Sequence, residues 1–303
     1  MQISVAKSED FQEIRLLWEM VFEEDSKEYL DFYFDFVMNH NKVLLCRDEK
    51  KDDILIGMLH LNPYWVRNGE DTDQVYYIVA VATHVDYRRQ GVMGKLLSES
   101  FQIAKNDNIK HIILLPEDER YYKPYGFEFV STQFGTTIHA NLYQDMLNDD
   151  TKMIQVNELE SSDEMKNWFV KSDYKSKDFE AIITDSYILQ LYNEMTCEGG
   201  KVAEVDGNLV LYYKKELITV RKYYLRCFEN DEAKEKSLRK LASWLIYIAE
   251  GTTDKKLLLN EVEEKALSCV FPYSRMNNYD QRPYMMKYKS KKQGNGFYFD
   301  EVV

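Results

Sequence analysis

Apolar positions along the first half of the chain switch between a helical and a strand-like period. Residues 2–6 read as a strand, and Ser8 then offers a cap to a helix whose Phe11, Ile14, Trp18 and Phe22 share one face. A second helix is predicted from Ser26 to Met38. Three apolar strands follow, Val43 to Arg47, Ile54 to Arg67 and Gln74 to His84, broken by the polar turns Lys51-Asp52-Asp53 and Asn68-Gly69-Glu70. Met93, Leu96, Leu97, Phe101 and Ala104 recur at helical spacing and predict a helix from Gly91 to Asn106. The pattern then gives a strand over Ile109 to Leu115, a short helix around Tyr122 and a strand near Phe134 to His139.

Asn148-Asp149-Asp150 interrupts this pattern and places a domain boundary there, giving residues 1–147 and 148–303 as the two domains. Beyond it, helices are predicted over Ser161 to Lys171 and Phe179 to Glu194. Strands follow at Lys201 to Val205, Leu209 to Lys214 and Leu217 to Leu225, with Asp206-Gly207 as a turn. A helix over Glu232 to Ala249 and strands near Leu257 to Asn260 and Tyr284 to Tyr288 complete the series. That order echoes the first half, which points to a tandem duplication. A low-complexity stretch, Lys289 to Asn295, leads to Phe297-Tyr298-Phe299, whose aromatics suggest a docked C-terminus.

The junction between the strand ending at His84 and the helix opening at Gly91 carries the most chemistry. Its sequence, Arg88-Arg89-Gln90-Gly91-Val92-Met93-Gly94-Lys95, is basic and bears glycine. The first N–H groups of a helix lack intrahelical acceptors and lie at the positive end of its dipole, so a corner of this kind binds anions, phosphate above all. A triphosphate-binding loop would need glycine where Arg89 stands and a hydroxyl where Leu96 stands; a dinucleotide fingerprint would need a third glycine. The corresponding corner of the second half, Glu229-Asn230-Asp231-Glu232, has no glycine and would repel a pyrophosphate.

The pattern that remains, Arg88-x-x-Gly91 after an apolar strand, resembles the acetyl-coenzyme A signature of the GNAT superfamily of N-acetyltransferases. Met93 stands at the signature's last position, and the small residue arrives one place later, at Gly94. Tyr122-Lys123-Pro124-Tyr125-Gly126-Phe127 is similar to a second element of that superfamily, Tyr-x-x-x-Gly-Phe. Met58 to Tyr64, Tyr76 to His84 and the Gly-x-Met-Gly phrase resemble the enhanced intracellular survival (Eis) branch. The likeness is strong over residues 1–145 and weak beyond.

The resemblance implies an α/β (α+β) fold, a mixed central sheet flanked by helices, with a second, degenerate domain of the same kind that binds no coenzyme. It implies direct transfer of acetyl from acetyl-coenzyme A to a primary amine. Arg88, Arg89, Gln90, Gly91, Met93, Gly94 and Lys95 become the pyrophosphate cradle, and the backbone of Val81, Ala82 and Thr83 receives the pantetheine arm. Tyr122 becomes the general acid for the departing thiolate. The strand before the loop, Tyr77 to Ala82, has no carboxylate to act as base; the Eis branch implies the chain's last carboxylate, on Val303, with Glu117, Asp118 and Glu119 as competitors.

Composition narrows the partners. The net charge of −13 disfavours nucleic acid and anionic membranes and suits a cationic amine, either a small molecule or a peptide. No apolar run reaches the roughly 18 residues of a membrane span, and the N-terminus is unlike a signal peptide. Cys46, Cys197, Cys227 and Cys269 are dispersed and read as free thiols, which together predict a cytoplasmic protein. The five histidines show no ligand spacing, so no metal is expected; His60 and His84 read as structural. Homo-oligomerisation, a coenzyme-binding regulator and an aminoacyl-transferring tandem enzyme stay open.

Overall fold

The computed structural model describes residues 1–177, 179–262, 267, 270, 271 and 277–287. They form two compact units. Unit 1 comprises residues 1–131, with 179–182 and 283–287 returning to it; unit 2 comprises 132–177 and 183–262, with 267, 270, 271 and 277–282.

Unit 1 is built on a mixed sheet. Strands β1 (Gln2–Val5), β2 (Lys42–Asp48), β3 (Ile54–Asn68) and β4 (Asp71–Thr83) pair antiparallel in that order. Strand β5 (His111–Leu114) joins β4 parallel, and the end of β12 (Asn277–Lys287) pairs antiparallel with β5 through Met285 to Lys287. A parallel neighbour needs a crossover, and helix α3 (Val92–Asn106) supplies it. The apolar stripe of α3, Val92, Leu96, Leu97 and Ala104, packs with Leu44, Ile56, Leu61, Tyr76 and Ile78. Leu96 and Leu97 are fully buried, each contributing about 1.5–3 kcal/mol over exposure. Gly57 sets the approach of helix to sheet, since a Cβ there would lie 2.4 Å from Val92 Cγ1.

Helices α1 (Phe11–Val21) and α2 (Lys27–Phe32) precede β2, and Ser26 Oγ caps α2 by accepting from Tyr29 N. The chain continues from α2 through a wide π turn, Tyr33–Val37, so the single helix expected to Met38 is divided. Trp18 of α1 packs on His60 of β3 and on Tyr33, at ring separations of 5.1 and 4.6 Å.

Unit 2 repeats the motif. Residues 133–139 of β6 (Glu128–His139) pair antiparallel with β11 (Lys256–Val262), which lies parallel to β10 (Ile218–Tyr224). Strands β9 (Asn208–Lys214), β8 (Lys201–Val205) and β7 (Val156–Glu158) continue antiparallel from β10. Helix α7 (Asp231–Glu250) connects β10 to β11 as α3 connects β4 to β5, and its Leu238, Leu241, Leu245 and Ile246 fill the core.

Two expectations from the sequence need revision. The chain leaves unit 1 at 131, ahead of the 147/148 boundary, because Ile138, Ala140 and Tyr143 belong to the core of unit 2. Asn148 marks the start of a short helix, α4 (Asp149–Lys152), whose capping box it forms with Thr151. The helix expected from Phe179 begins at Asp185 as α6 (Asp185–Cys197), where Thr184 Oγ1 accepts from Tyr187 N. Phe179 instead turns the chain at φ +51°, and Glu180 to Ile182 lie against β3 in unit 1 through a bridge of Ala181 with Val66. Phe179 N and Ile182 N donate to the carbonyls of Arg67 and Trp65, and Arg67 N donates to the carbonyl of Glu180.

Candidate active site

Strand β4 is irregular where the candidate chemistry begins. Met58 pairs with Ala82 and His60 with Val79, so Ala80 and Val81 together face one residue of β3. This is a β-bulge. Ala80 has φ +48°, a left-handed backbone that costs a side-chain-bearing residue about 1–2 kcal/mol. The parallel ladder of β4 with β5 covers only Val75–Tyr77 against His111–Ile113. Past Tyr77, β4 runs on through the bulge to Val81, Ala82 and Thr83 without further pairing to β5. A strand edge in that state can hydrogen-bond an extended ligand as an added strand.

Beyond Thr83 the chain is tied down locally. His84 Nδ1 accepts from Asp86 N at 3.3 Å, and Gln90 Nε2 donates to the Asp86 carbonyl at 2.9 Å. Tyr87 is buried in the core below. Arg89 has φ +60° and Gly91 φ +82°, left-handed positions that turn successive N–H groups toward one side. Lys95 N donates to the Gly91 carbonyl at 3.1 Å, which makes Gly91 the cap of α3. The N–H groups of Val92, Met93 and Gly94 precede that bond and have no carbonyl within the helix. No side chain caps them. The side chains of Arg88, Arg89 and Lys95 are exposed and make no ion pair or hydrogen bond among the described residues.

The two glycines of the corner act differently. A Cβ on Gly91 would meet nothing within 4 Å, so its surface is open to a ligand, whereas a Cβ on Gly94 would lie 2.5 Å from Tyr125 Oη. Gly94 thus makes room for Tyr125. Met93 is half-buried against the core of unit 1.

The tyrosines after β5 occupy three environments. The expected helix around Tyr122 is two single turns, Glu119–Tyr121 and Lys123–Tyr125, with Pro124 in the second and Gly126 at φ +83° ending it. Tyr121 is 60% exposed and Tyr125 packs against Gly94. Tyr122 is half-buried, with its ring 5.8 Å from Phe127. Burial, and then the charge of Glu117, push its phenol up to about 12. It therefore keeps its proton at any ordinary pH.

A cleft of about 540 Å³ opens beside this segment, lined by Glu117 to Tyr121 and Pro283. Asp118 is held by Arg120, whose hydrogen bonds keep its carboxylate below the usual range, and Glu119 pairs with Lys123. Glu117 has no hydrogen bond or ion pair among the described residues. Val303, the base implied by the Eis branch, lies outside the described residues, as does Cys269. Of the other cysteines, Cys46 is buried, Cys197 half-buried and Cys227 exposed, all free. Among the described residues no group of three or more histidines, cysteines or carboxylates could hold a metal ion, and no helix is long and apolar enough to cross a membrane.

A buried network on β3 was not foreseen from the sequence. Asn41 Nδ2 donates to Tyr33 Oη at 3.0 Å, and Tyr33 Oη donates to Asn62 Oδ1 at 3.1 Å. His60 Nδ1 is 3.1 Å from the same hydroxyl. Burial pushes the imidazole down to about 3, so His60 is neutral. It lies directly across from Val79, at the edge of the bulge.

Residues 2–130 match the family model of the acetyltransferase (GNAT) domain. No curated protein matches the chain. Among solved structures, a GCN5-related N-acetyltransferase from Anabaena variabilis is 13% identical, with TM-score 0.73 over 94% of this chain and 72% of its own. One from Kribbella flavida is 10% identical, with TM-score 0.70 over 94% and 70%. Eis1 from Mycobacterium abscessus is 12% identical, with TM-score 0.67 over 95% and 73%. At these identities the likeness is one of fold, and the match to the acetyltransferase (GNAT) domain concerns residues 2–130 alone.

Proposed function

We propose that the protein transfers acetyl directly from acetyl-coenzyme A to a primary amine of a cationic acceptor, a small molecule or a peptide, in the cytoplasm. The observation that carries this reading is the continuity of one open surface. The unpaired edge of β4 past Tyr77 leads to an uncapped helix N-terminus with three unpartnered cations. In this reading the pantetheine arm lies along Val81 to Thr83 and the pyrophosphate sits over Gly91 on the first N–H groups of α3. The acceptor nitrogen bonds to the thioester carbonyl carbon, the carbon–sulfur bond breaks, and the thiolate takes the proton of Tyr122. A phenol held near 12 is a weak acid in water, but it is stoichiometrically protonated and needs only hydrogen-bond reach to the sulfur.

The amine's own proton goes to a base, for which we propose the carboxylate of Val303, on the strength of the family resemblance. Removing residues 300–303 is expected to lower turnover while coenzyme binding persists; unchanged turnover would move the base elsewhere. Unit 2 is, in the same reading, a coenzyme-free descendant of a duplicated acetyltransferase domain. The decisive experiment measures thiol release from acetyl-coenzyme A against polyamines, aminoglycosides, lysine peptides and small amines, with titration calorimetry of the coenzyme alongside. Acetylation of an amine with one coenzyme site per chain is expected. Binding without turnover on any amine would favour a coenzyme-binding regulator.

A further inference from the structure

Unit 2 contains a cavity of about 450 Å³ that has no part in the acetyl-transfer reading. Its walls come from the end of α4, the end of β9 and the last turn of α7, and carry charges of both signs. Lys152 and Lys214 line it, and neither side chain makes an ion pair or hydrogen bond among the described residues. Glu250 lines it too. Its Oε2 lies 3.6 Å from Lys255 Nζ, while its Oε1 is buried with no hydrogen-bond partner.

A simple anion fits this cavity poorly, because Glu250 and the carbonyls ending α7 present negative charge to it. A simple cation fits no better beside two unpaired lysines. A molecule bearing both charges satisfies every group. We infer that the cavity binds a free α-amino acid, with its carboxylate on Lys152 and Lys214 and its ammonium beside the Glu250 carboxylate. Leu147, Tyr247 and Ile248 give the remaining wall an apolar character suited to an aliphatic or aromatic side chain. The volume is within the roughly 300–1,000 Å³ of small-molecule sites.

The test uses the full chain, titration calorimetry and three probes: leucine, 4-methylpentanoate, which keeps the carboxylate, and 3-methylbutylamine, which keeps the ammonium. Leucine is expected to bind at least about tenfold more tightly than either half-molecule. Lys214→Met and Glu250→Gln are each expected to weaken leucine by at least about tenfold while thiol release stays at its original rate. If Lys214 serves only to neutralise the end of α7, Lys214→Met lowers the melting temperature and leaves leucine binding intact, which overturns the assignment. Absence of binding for leucine, phenylalanine and glutamine at about 10 mM overturns it as well. Because unit 1 is untouched by these variants, a negative result here leaves the acetyl-transfer reading standing.

Discussion

The β4–α3–β5 and β10–α7–β11 segments share a topology and differ in what they do with their open polar groups. In each, an irregular strand feeds a helix that returns a parallel strand, and the parallel register covers three residue pairs. At the N-terminus of α3, Gly91 is left-handed and no side chain caps the helix; Arg88, Arg89 and Lys95 stand unpaired around it. At the N-terminus of α7, Asn230 Oδ1 accepts from Ala233 N at 2.9 Å, and Asp231 and Glu232 offset the dipole. The strand past each irregularity differs likewise. Val81, Ala82 and Thr83 are modest in size, whereas Lys222 of β10 is buried and its Nζ donates to Tyr187 Oη at 3.0 Å. Unit 2 satisfies its helix end and strand from within. Unit 1 leaves both open, at a cost in stability that a ligand can recover.

Tyr122→Phe should have the largest effect, since it removes the proposed proton donor of unit 1: turnover falls by roughly 10²- to 10⁴-fold. Coenzyme affinity from calorimetry should be nearly unchanged. If Tyr121→Phe or Tyr125→Phe produces that loss and Tyr122→Phe does not, the acid is misplaced. Because the phenol titrates near 12, the turnover of the wild type should show no alkaline fall from this group below about pH 10.

Gly91→Glu makes the corner of unit 1 resemble that of unit 2, adding both a strained backbone and a negative charge. Coenzyme affinity should fall by at least about tenfold, read by calorimetry. Undiminished binding would show that the open helix end is not where the coenzyme sits.

The buried polar groups beside the two irregularities allow a finer test. His60 takes up a proton in the fold only as pH falls to about 3, but in the unfolded chain it does so below about 6.5. The unfolded state therefore binds the extra proton between these values, and stability falls as pH drops through that window, by up to about 1.4 kcal/mol per unit. In His60→Asn, denaturant unfolding should show a correspondingly shallower loss between pH 6 and pH 4, roughly the middle of that window. An unchanged slope would mean that His60 is solvated or protonated in the fold. The smallest effect belongs to Asn230→Ala, which should cost unit 2 about 1 kcal/mol and leave coenzyme affinity alone. A change in that affinity would contradict the division of labour.

The legible parts of this molecule were those encoded within a few residues. The glycine and basic residues of the Arg88–Lys95 corner, the stripe of α3 and the Gly126-Phe127 turn follow from local geometry and periodicity. The bulge was not legible, because alanine has no preference for the left-handed backbone that Ala80 adopts. Phe179 to Ile182 read as the first turn of a helix, and only pairing with a strand more than a hundred residues earlier keeps them out of it. The same applies to 132–147, whose membership in unit 2 depends on β11. Gly94 belongs by resemblance to the pyrophosphate cradle, while its packing against Tyr125 depends on a turn that the sequence places but does not orient. The network of Tyr33, Asn41, His60 and Asn62 is assembled from three elements, and no local pattern announces it.

The segment at Phe179 to Ile182 bears on how the protein can be made and cut. Residues 1–131 look like a self-contained gene segment, yet a polypeptide ending there lacks the piece that covers Trp65, Val66 and Arg67. It would present a bare strand edge, a template for pairing with other chains. Expressed alone, such a fragment is expected to self-associate, the edge of β5 that Met285 to Lys287 cover being bare as well, and a synthetic peptide spanning 178–183 added in trans should reduce that self-association without abolishing it. A protease nick just before this segment, by contrast, would break the chain without removing the missing piece, so the nicked protein should elute intact from a sizing column.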